Sequence, residues 1–245
     1  MTEHGWPHTP SAERPLAEAI DGGAAEWAAR DEALARGEID EAGWFERYLA
    51  ALVPAYLAGD NPRAQSGHSG DDARWEAARR PMLAAVDADG DLLDIGCASG
   101  YLMETAHRWA ASDGRALEPY GLDISPELAD LARRRLPHWA DRIWTGNALY
   151  WRHPEGRRFD YVRTGLDYVP PGRVGDLVTH LLEHVVGRRL ILGVHNEAAG
   201  ESPWRSQVEA AGHVVAGERV WPKPADPRVV RRVFWVDSVV SAGTA

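Results

Sequence analysis

The chain has 245 residues, of which 44% are hydrophobic and 26% charged, and its formal net charge is −10. That length buries a full core in one domain with an appendage or in two small domains, and the composition is that of a soluble globular protein. The acid excess sits mostly in residues 1–60, where 12 acids against 4 arginines give −8; it repels phosphate backbones and anionic lipid, so neither nucleic acid nor a membrane is an expected partner.

Cys97 is the sole cysteine, which rules out an internal disulfide and a cysteine-based zinc cage and fits a reducing cytoplasm. The opening MTEHGWPHTP has no basic stretch leading into an apolar one, so it does not read as a secretory signal. The longest apolar run, YLAALVPAYLAG (48–59), is too short to span a bilayer. A cytoplasmic protein is expected.

Residues 1–10 read as a loose tail, and Ser11 to Arg36 as helix interrupted near Gly22-Gly23. A second helix starts after Asp40, a suitable N-cap, and carries Phe45, Tyr48, Leu49, Leu52, Val53, Tyr56 and Leu57 in one stripe. Pro54 should bend that helix or end its first half. The stretch GDNPRAQSGHSGDD (59–72) is dense in Gly, Asn, Pro and Ser and reads as a loop. Asp71 or Asp72 can cap a third helix with Trp75, Ala78, Met82 and Leu83 on one side.

From residue 91 the rhythm changes. Strand-like LLDI (92–95), PYGLDI (119–124), DRIWTG (141–146), FDYVRT (159–164) and RRLILGV (188–194) alternate, for the most part, with helix-like runs. Such alternation predicts an α/β fold: a Rossmann-like, mainly parallel seven-stranded sheet with helices on both faces. Two final strand-like runs, HVVAGERVW and RVVRRVFWVDSV, have no helix between them and predict an antiparallel pair at one edge. The chain divides into residues 1–71, a helical lid or dimerisation segment with its loop, and residues 72–245, the sheet domain.

The first strand runs into DLLDIGCASGYLME (91–104), where Asp94, Gly96, Ala98 and Gly100 stand at alternate positions. In an open parallel sheet, ligands bind beyond the carboxyl ends of the strands. Small residues there let backbone approach a ligand, and the following helix offers free N–H groups. A dinucleotide fingerprint would need glycine where Tyr101 stands, and an acid at the strand end repels a pyrophosphate but suits an ammonium group. The alternative pattern D-x-G-x-(G/A)-x-G fits Asp94 to Gly100, with Ala98 in the middle slot.

With those residues the chain resembles the class I S-adenosylmethionine-dependent methyltransferases over roughly residues 72–240. The resemblance implies S-adenosyl-L-methionine as cofactor, with Asp94 near its methionine end and the Gly96, Cys97, Ala98 and Gly100 turn passing beneath it. It also implies that Asp123 in YGLDIS accepts hydrogen bonds from both ribose hydroxyls, with Ile124 flanking the adenine. TGNAL (145–149) supplies Asn147, where many members have Asp, and Ala148 toward the adenine. The fourth strand then ends at the reacting methyl, at Thr164 in RTGLDYVP.

Methyl transfer requires positioning of an acceptor and, for some acceptors, removal of a proton; it requires no metal, and no metal site is expected. Three segments are candidates to face the methyl: the lid-like 59–72 loop with His68, Asp167-Tyr168 after the fourth strand, and GVHNE (193–197), where His195 suits a general base and Asn196 an amine or carboxylate. The bland alternatives are a solvated loop, a packed tyrosine and a capping loop. Trp144 and Trp151 are candidates to wall the adenine or acceptor pocket, and Trp44 and Phe45 to cover the acceptor. The expected enzyme is a methyltransferase acting on a small-molecule acceptor, a metabolite or natural product, at O or N. The acids of the N-terminal helices would favour a cationic or amine acceptor. A homodimer is left open. The rival readings are a cofactor-binding protein without transferase activity, a protein methyltransferase and a nicotinamide-dependent oxidoreductase.

Overall fold

The computed structural model describes residues 24–223 and 226–238; the expected tail, the start of the first helix and its break at Gly22-Gly23 lie outside them. Helices α1 (Ala24–Ala35), α2 (Glu41–Leu57) and α3 (Asp72–Arg79) precede the sheet. Asp40 caps α2 by accepting from Gly43 N at 2.9 Å, and of the two candidate caps for α3 it is Asp71 that accepts from Arg74 N, also at 2.9 Å. α2 does not stop at Pro54 but carries it within its last stretch. A proline there forfeits one hydrogen bond of a helix that ends three residues later. Met82 and Leu83 do not continue α3: the chain tightens at Arg80 into a 3-10 turn reaching Ala85, with Pro81 at its start.

Then follow β1 (Gly90–Ile95), α4 (Tyr101–Ser112), β2 (Leu117–Asp123), α5 (Pro126–Arg135), β3 (Ile143–Thr145), β4 (Phe159–Gly165), α6 (Val174–His184), β5 (Val186–Ala198), α7 (Pro203–Ala210), β6 (Val215–Lys223) and β7 (Asp226–Asp237). They form one seven-stranded sheet in the order β3-β2-β1-β4-β5-β7-β6. β3 to β5 pair in parallel, and β7 pairs antiparallel with both β5 and β6. The expected antiparallel edge is present, with its second strand inserted beside β5 and its first outermost.

The central strands are buried on both faces, as parallel strands must be. One face carries Leu93, Ile95, Val162, Leu190, Leu192 and Phe234 and packs against α6, α7 and the Trp44-Phe45 end of α2. The other carries Leu92, Tyr161, Ile191 and Trp235 and packs against Trp75 of α3, Met82 and Leu83, and Leu102, Ala106 and Trp109 of α4. The N-terminal helices thus share the core of the sheet domain. No helix of the described residues is long and apolar enough to cross a membrane.

Candidate functional site

The β1 turn explains its own spacing. Gly96, Ala98 and Gly100 have φ of +75°, +47° and +72°, so each alternate small residue takes the left-handed conformation, and among the described residues Ala98 is the one non-glycine to do so. A Cβ on Gly96 would lie 2.6 Å from the Tyr168 ring, and one on Gly100 2.7 Å from Leu136. The turn is tied to the end of β2: Gly96 N and Cys97 N both donate to Leu122 O, at 2.8 and 3.2 Å.

Asp123 completes the tie. Its Oδ2 accepts from Ala98 N at 2.8 Å and its Oδ1 from Ser125 N at 2.9 Å. Each oxygen keeps a further lone pair. Burial pushes this carboxyl up to about 6, against the pull of the two backbone donors. The group is 5% exposed and lies on a cleft that also meets Gly96, Ala98, Ile124, Asn147 and Ala148. The cleft is tight, with a cavity volume of about 60 Å³, well under the roughly 300 Å³ at which ordinary small-molecule sites begin. Its far wall is α2, through Phe45, Tyr48, Leu52 and Tyr56, and Tyr168 closes it from the β4 side. Asn147 uses Oδ1 to accept from Leu149 N at 3.0 Å.

Six of the ten expected cofactor residues therefore line one cleft. The other four do not. Cys97 is buried under Gly121, and burial pushes its thiol well up. Gly100 donates its N–H to Cys97 O at 2.7 Å and shapes the turn. Thr164 gives its hydroxyl to Gly165 O. Asp94 shares a sheet face with Asp123 by register but does not line the cleft; it is held at a second site by Arg163, whose Nη1 donates to its Oδ1 at 3.3 Å. Burial raises the Asp94 carboxyl although Arg163 and Arg79 oppose it.

Arg163 organises that second site. Its Nη1 donates to Tyr168 Oη at 3.3 Å and its Nη2 lies 3.5 Å from His195 Nε2. Arg79 reaches down from the end of α3, its Nη1 2.8 Å from both ring nitrogens of His195. Packing and these two guanidiniums drive the His195 basicity well below the usual histidine value, so the ring is neutral near pH 7. The structure thus brings Tyr168 and His195 to one group through Arg163, with His68 near its Arg79 side and in no hydrogen bond to it. His68 packs edge-on against Trp75 at 5.2 Å, its Nε2 is buried without a hydrogen bond, and burial with nearby arginines lowers it to about 4. Its loop is docked on the β1 turn, where Ser66 Oγ lies 2.8 Å from Ser99 Oγ and Ser99 donates to Pro62 O at 2.8 Å. Of the tryptophans, Trp144 and Trp151 pack on one another, with ring centres 5.6 Å apart, and do not reach the cleft; Trp44 is buried in the core, and its neighbour Phe45 does reach it.

Sequence reasoning missed Arg163, Arg79, Ser99 and the tyrosines of α2 as site residues. Arg163 had a signal, a charge set after Tyr161 and Val162 near the end of the strand-like run FDYVRT, and Tyr48 and Tyr56 lay on an apolar stripe that reads equally as core. Arg79 had none.

No family model matches the chain, and no curated protein does either. Solved structures do. The 1,6-didemethyltoxoflavin N1-methyltransferase of Burkholderia thailandensis, solved with 1,6-didemethyltoxoflavin and S-adenosylhomocysteine, superposes with a TM-score of 0.57 at 16% identity, over 82% of this chain and 91% of its own. The N-methyltransferase NodS of Bradyrhizobium japonicum WM9, in complex with S-adenosylhomocysteine, gives 0.56 at 15% identity, over 78% and 97%. The 4+2 cyclase SpnF gives 0.54 at 12% identity, over 79% and 93%. The chain has the class I methyltransferase fold.

Proposed function

We propose that this protein binds S-adenosyl-L-methionine in the cleft between the β1 turn and Asp123 and transfers its methyl group to a small-molecule acceptor in the cytoplasm. The observation that carries the reading is Asp123, a desolvated carboxylate with a free lone pair on each oxygen, set against a left-handed turn that keeps side chains out of the cleft. A ribose diol would supply two donors to those lone pairs and relieve the desolvation that lifts Asp123.

Ile124 and Ala148 would flank the adenine, and Asn147, whose amide nitrogen makes no hydrogen bond among the described residues, would meet its polar edge. Asp94 would draw the ammonium end, moderated by Arg163 beside it. Tyr48, Leu52 and Tyr56 would exclude water from the cleft. When bound, the cofactor supplies a methyl on a sulfonium, which an acceptor lone pair attacks in line while S-adenosylhomocysteine departs.

Tyr168 stands over Gly96, at the junction of the two sites, and is the residue of this chain best set to orient an acceptor. His195 is neutral and would take a proton only from an acceptor already acidic, because Arg79 and Arg163 hold its basicity down. His68 would act through the loop that closes on Ser99 and not by touching the acceptor. The likeness to a cyclase favours one rival, a cofactor-holding protein that catalyses a different step. Calorimetry with S-adenosylhomocysteine, followed by release of S-adenosylhomocysteine from labelled S-adenosyl-L-methionine over an acceptor panel, tests both. Micromolar binding with turnover supports transfer; binding without turnover on any acceptor favours the rival, and no binding at millimolar levels ends both readings.

A further inference from the structure

Four acids of α1, α2 and the turn between them are already matched by arginines. Asp31 pairs with Arg30, Glu32 and Glu38 with Arg36, and Glu41 with Arg173. The wall beyond Tyr168 is instead cationic. Along β5 the ladder with β7 slips between Val194 and Glu197, so that two residues, His195 and Asn196, stand opposite the one residue Arg231. A bulge of this kind re-aims side chains beside a site. On the next strand Trp221 pairs with Arg231, and Lys223, two residues on, donates to Asn196 Oδ1. Above them α3 contributes Arg74 and Arg79, with the Arg79 guanidinium 5.2 Å from the Trp75 ring centre.

Arg79, Arg231, Lys223 and Arg74 make no ion pair with any carboxylate among the described residues, whereas Arg163 and Arg232 beside them do. Arg79, Lys223 and Arg231 are half-buried: protein packs round them, and solvent still reaches them. Burial, Arg231 and Arg74 bring the Lys223 ammonium down to about 8, against Asp226, and burial and Arg163 bring Arg79 to about 10, against Tyr168, Tyr56 and Asp94. Unmatched cations crowded round the β5 bulge of a protein with net charge −10 cost stability unless an anion occupies the space between them.

The geometry points to an acceptor that carries a carboxylate or comparable small anionic group, held by Arg79, Arg231 and Lys223 over the β5 bulge. This rests on the methyltransferase reading and sets its substrate class. It also reverses the cationic acceptor that the acidic N-terminal segment suggests. Arginine forks match carboxylate oxygens in pairs, and the cluster begins at His195, which shares Arg163 with Tyr168.

The test is calorimetric, on the full chain saturated with S-adenosylhomocysteine. Benzoate, phenylacetate and glutarate are each titrated against the matching amide, and inorganic phosphate is added as a competitor. At least one acid should bind tenfold or more tightly than its amide. Arg231→Gln should remove most of that preference, and Lys223→Gln, on the sheet margin and safer for folding, should reduce it severalfold, with S-adenosylhomocysteine affinity within twofold of wild type in both. If every acid binds no better than its amide, or the preference survives both substitutions, the inference is overturned while the cofactor assignment stands. A protein that prefers acids but does not bind S-adenosylhomocysteine would sink the methyltransferase reading instead.

Discussion

The two halves of the sheet top are built on opposite electrostatic plans. Over β1, β2 and β3 the cleft is lined by apolar groups round one carboxylate whose partners are backbone N–H groups. Over β4, β5, β7 and β6 side-chain cations gather with fewer acids than they need. The first half is shaped by main chain and tolerates little change of backbone. The second is shaped by side chains drawn from five separate elements, and it can change specificity without changing the fold. Arg163 is the joint: it gives one hydrogen bond to the Asp94 carboxylate and faces His195 on the other side.

Cutting that joint should give the largest effect. Arg163→Met leaves Asp94, 1% exposed, without its ion-pair partner. Removing one member of a buried pair costs about 3–5 kcal/mol, and replacing both with apolar groups costs less. Urea unfolding should therefore find Arg163→Met much less stable than wild type, and Arg163→Met with Asp94→Leu partly restored. Equal stability of single and double variants would mean that the two halves are not joined there.

Within the cleft half, Asp123→Ala should weaken S-adenosylhomocysteine by tenfold or more, about 1.4 kcal/mol, because it removes the acceptor proposed for the ribose and frees Ala98 N. Unchanged affinity in calorimetry would refute the role of this acid. The cationic half should not notice: the preference for acids over amides should persist in Asp123→Ala.

The contrast also explains what the sequence could reveal. The turn, Asp123 and the GNA segment were legible because each is a short run whose small or acidic residues sit at fixed spacing from a strand end. The mainly parallel sheet followed from the alternation of runs, and the antiparallel edge from the two last runs with no helix between them. Arg79, Arg231 and Lys223 were illegible because they lie on three elements, one at a helix end, one on the outermost strand and one on the strand inside it, and only the fold and the bulge at His195 bring them together. His68 was overread for a related reason. Its Gly-Ser setting suggested access, yet Ser66 docks on Ser99 and the ring turns to Trp75.

A pH experiment separates the desolvation of Asp123 from its bonding. The folded state holds this proton up to about 6, whereas an unfolded Asp releases it near 3.9. Between those values the folded state binds more protons, so stability falls as pH rises through the window. Asp123→Asn cannot ionise and lacks that slope. In the absence of ligand, the stability of wild type relative to Asp123→Asn should fall by about 1 kcal/mol from pH 5 to pH 7. The bond that the amide cannot accept is a constant offset and cancels in the comparison. A flat difference would mean that Asp123 is not desolvated in the ligand-free protein.

The smallest expected effect lies at Ala98, and it asks whether main chain alone makes the cleft half. Its φ of +47° is a conformation that costs an L-residue about 1–2 kcal/mol. Ala98→Gly relieves that strain and adds roughly 0.5–1 kcal/mol of backbone entropy lost on folding. The net should be a gain of about 0.5 kcal/mol by thermal unfolding. The N–H that meets Asp123 is retained, so S-adenosylhomocysteine should bind within about twofold of wild type. A marked loss of affinity would show instead that the alanine methyl, 5% exposed on the cleft wall, contributes a contact of its own. In that case the turn reads its ligand through side chain as well as backbone, and the contrast with the cationic half becomes one of degree.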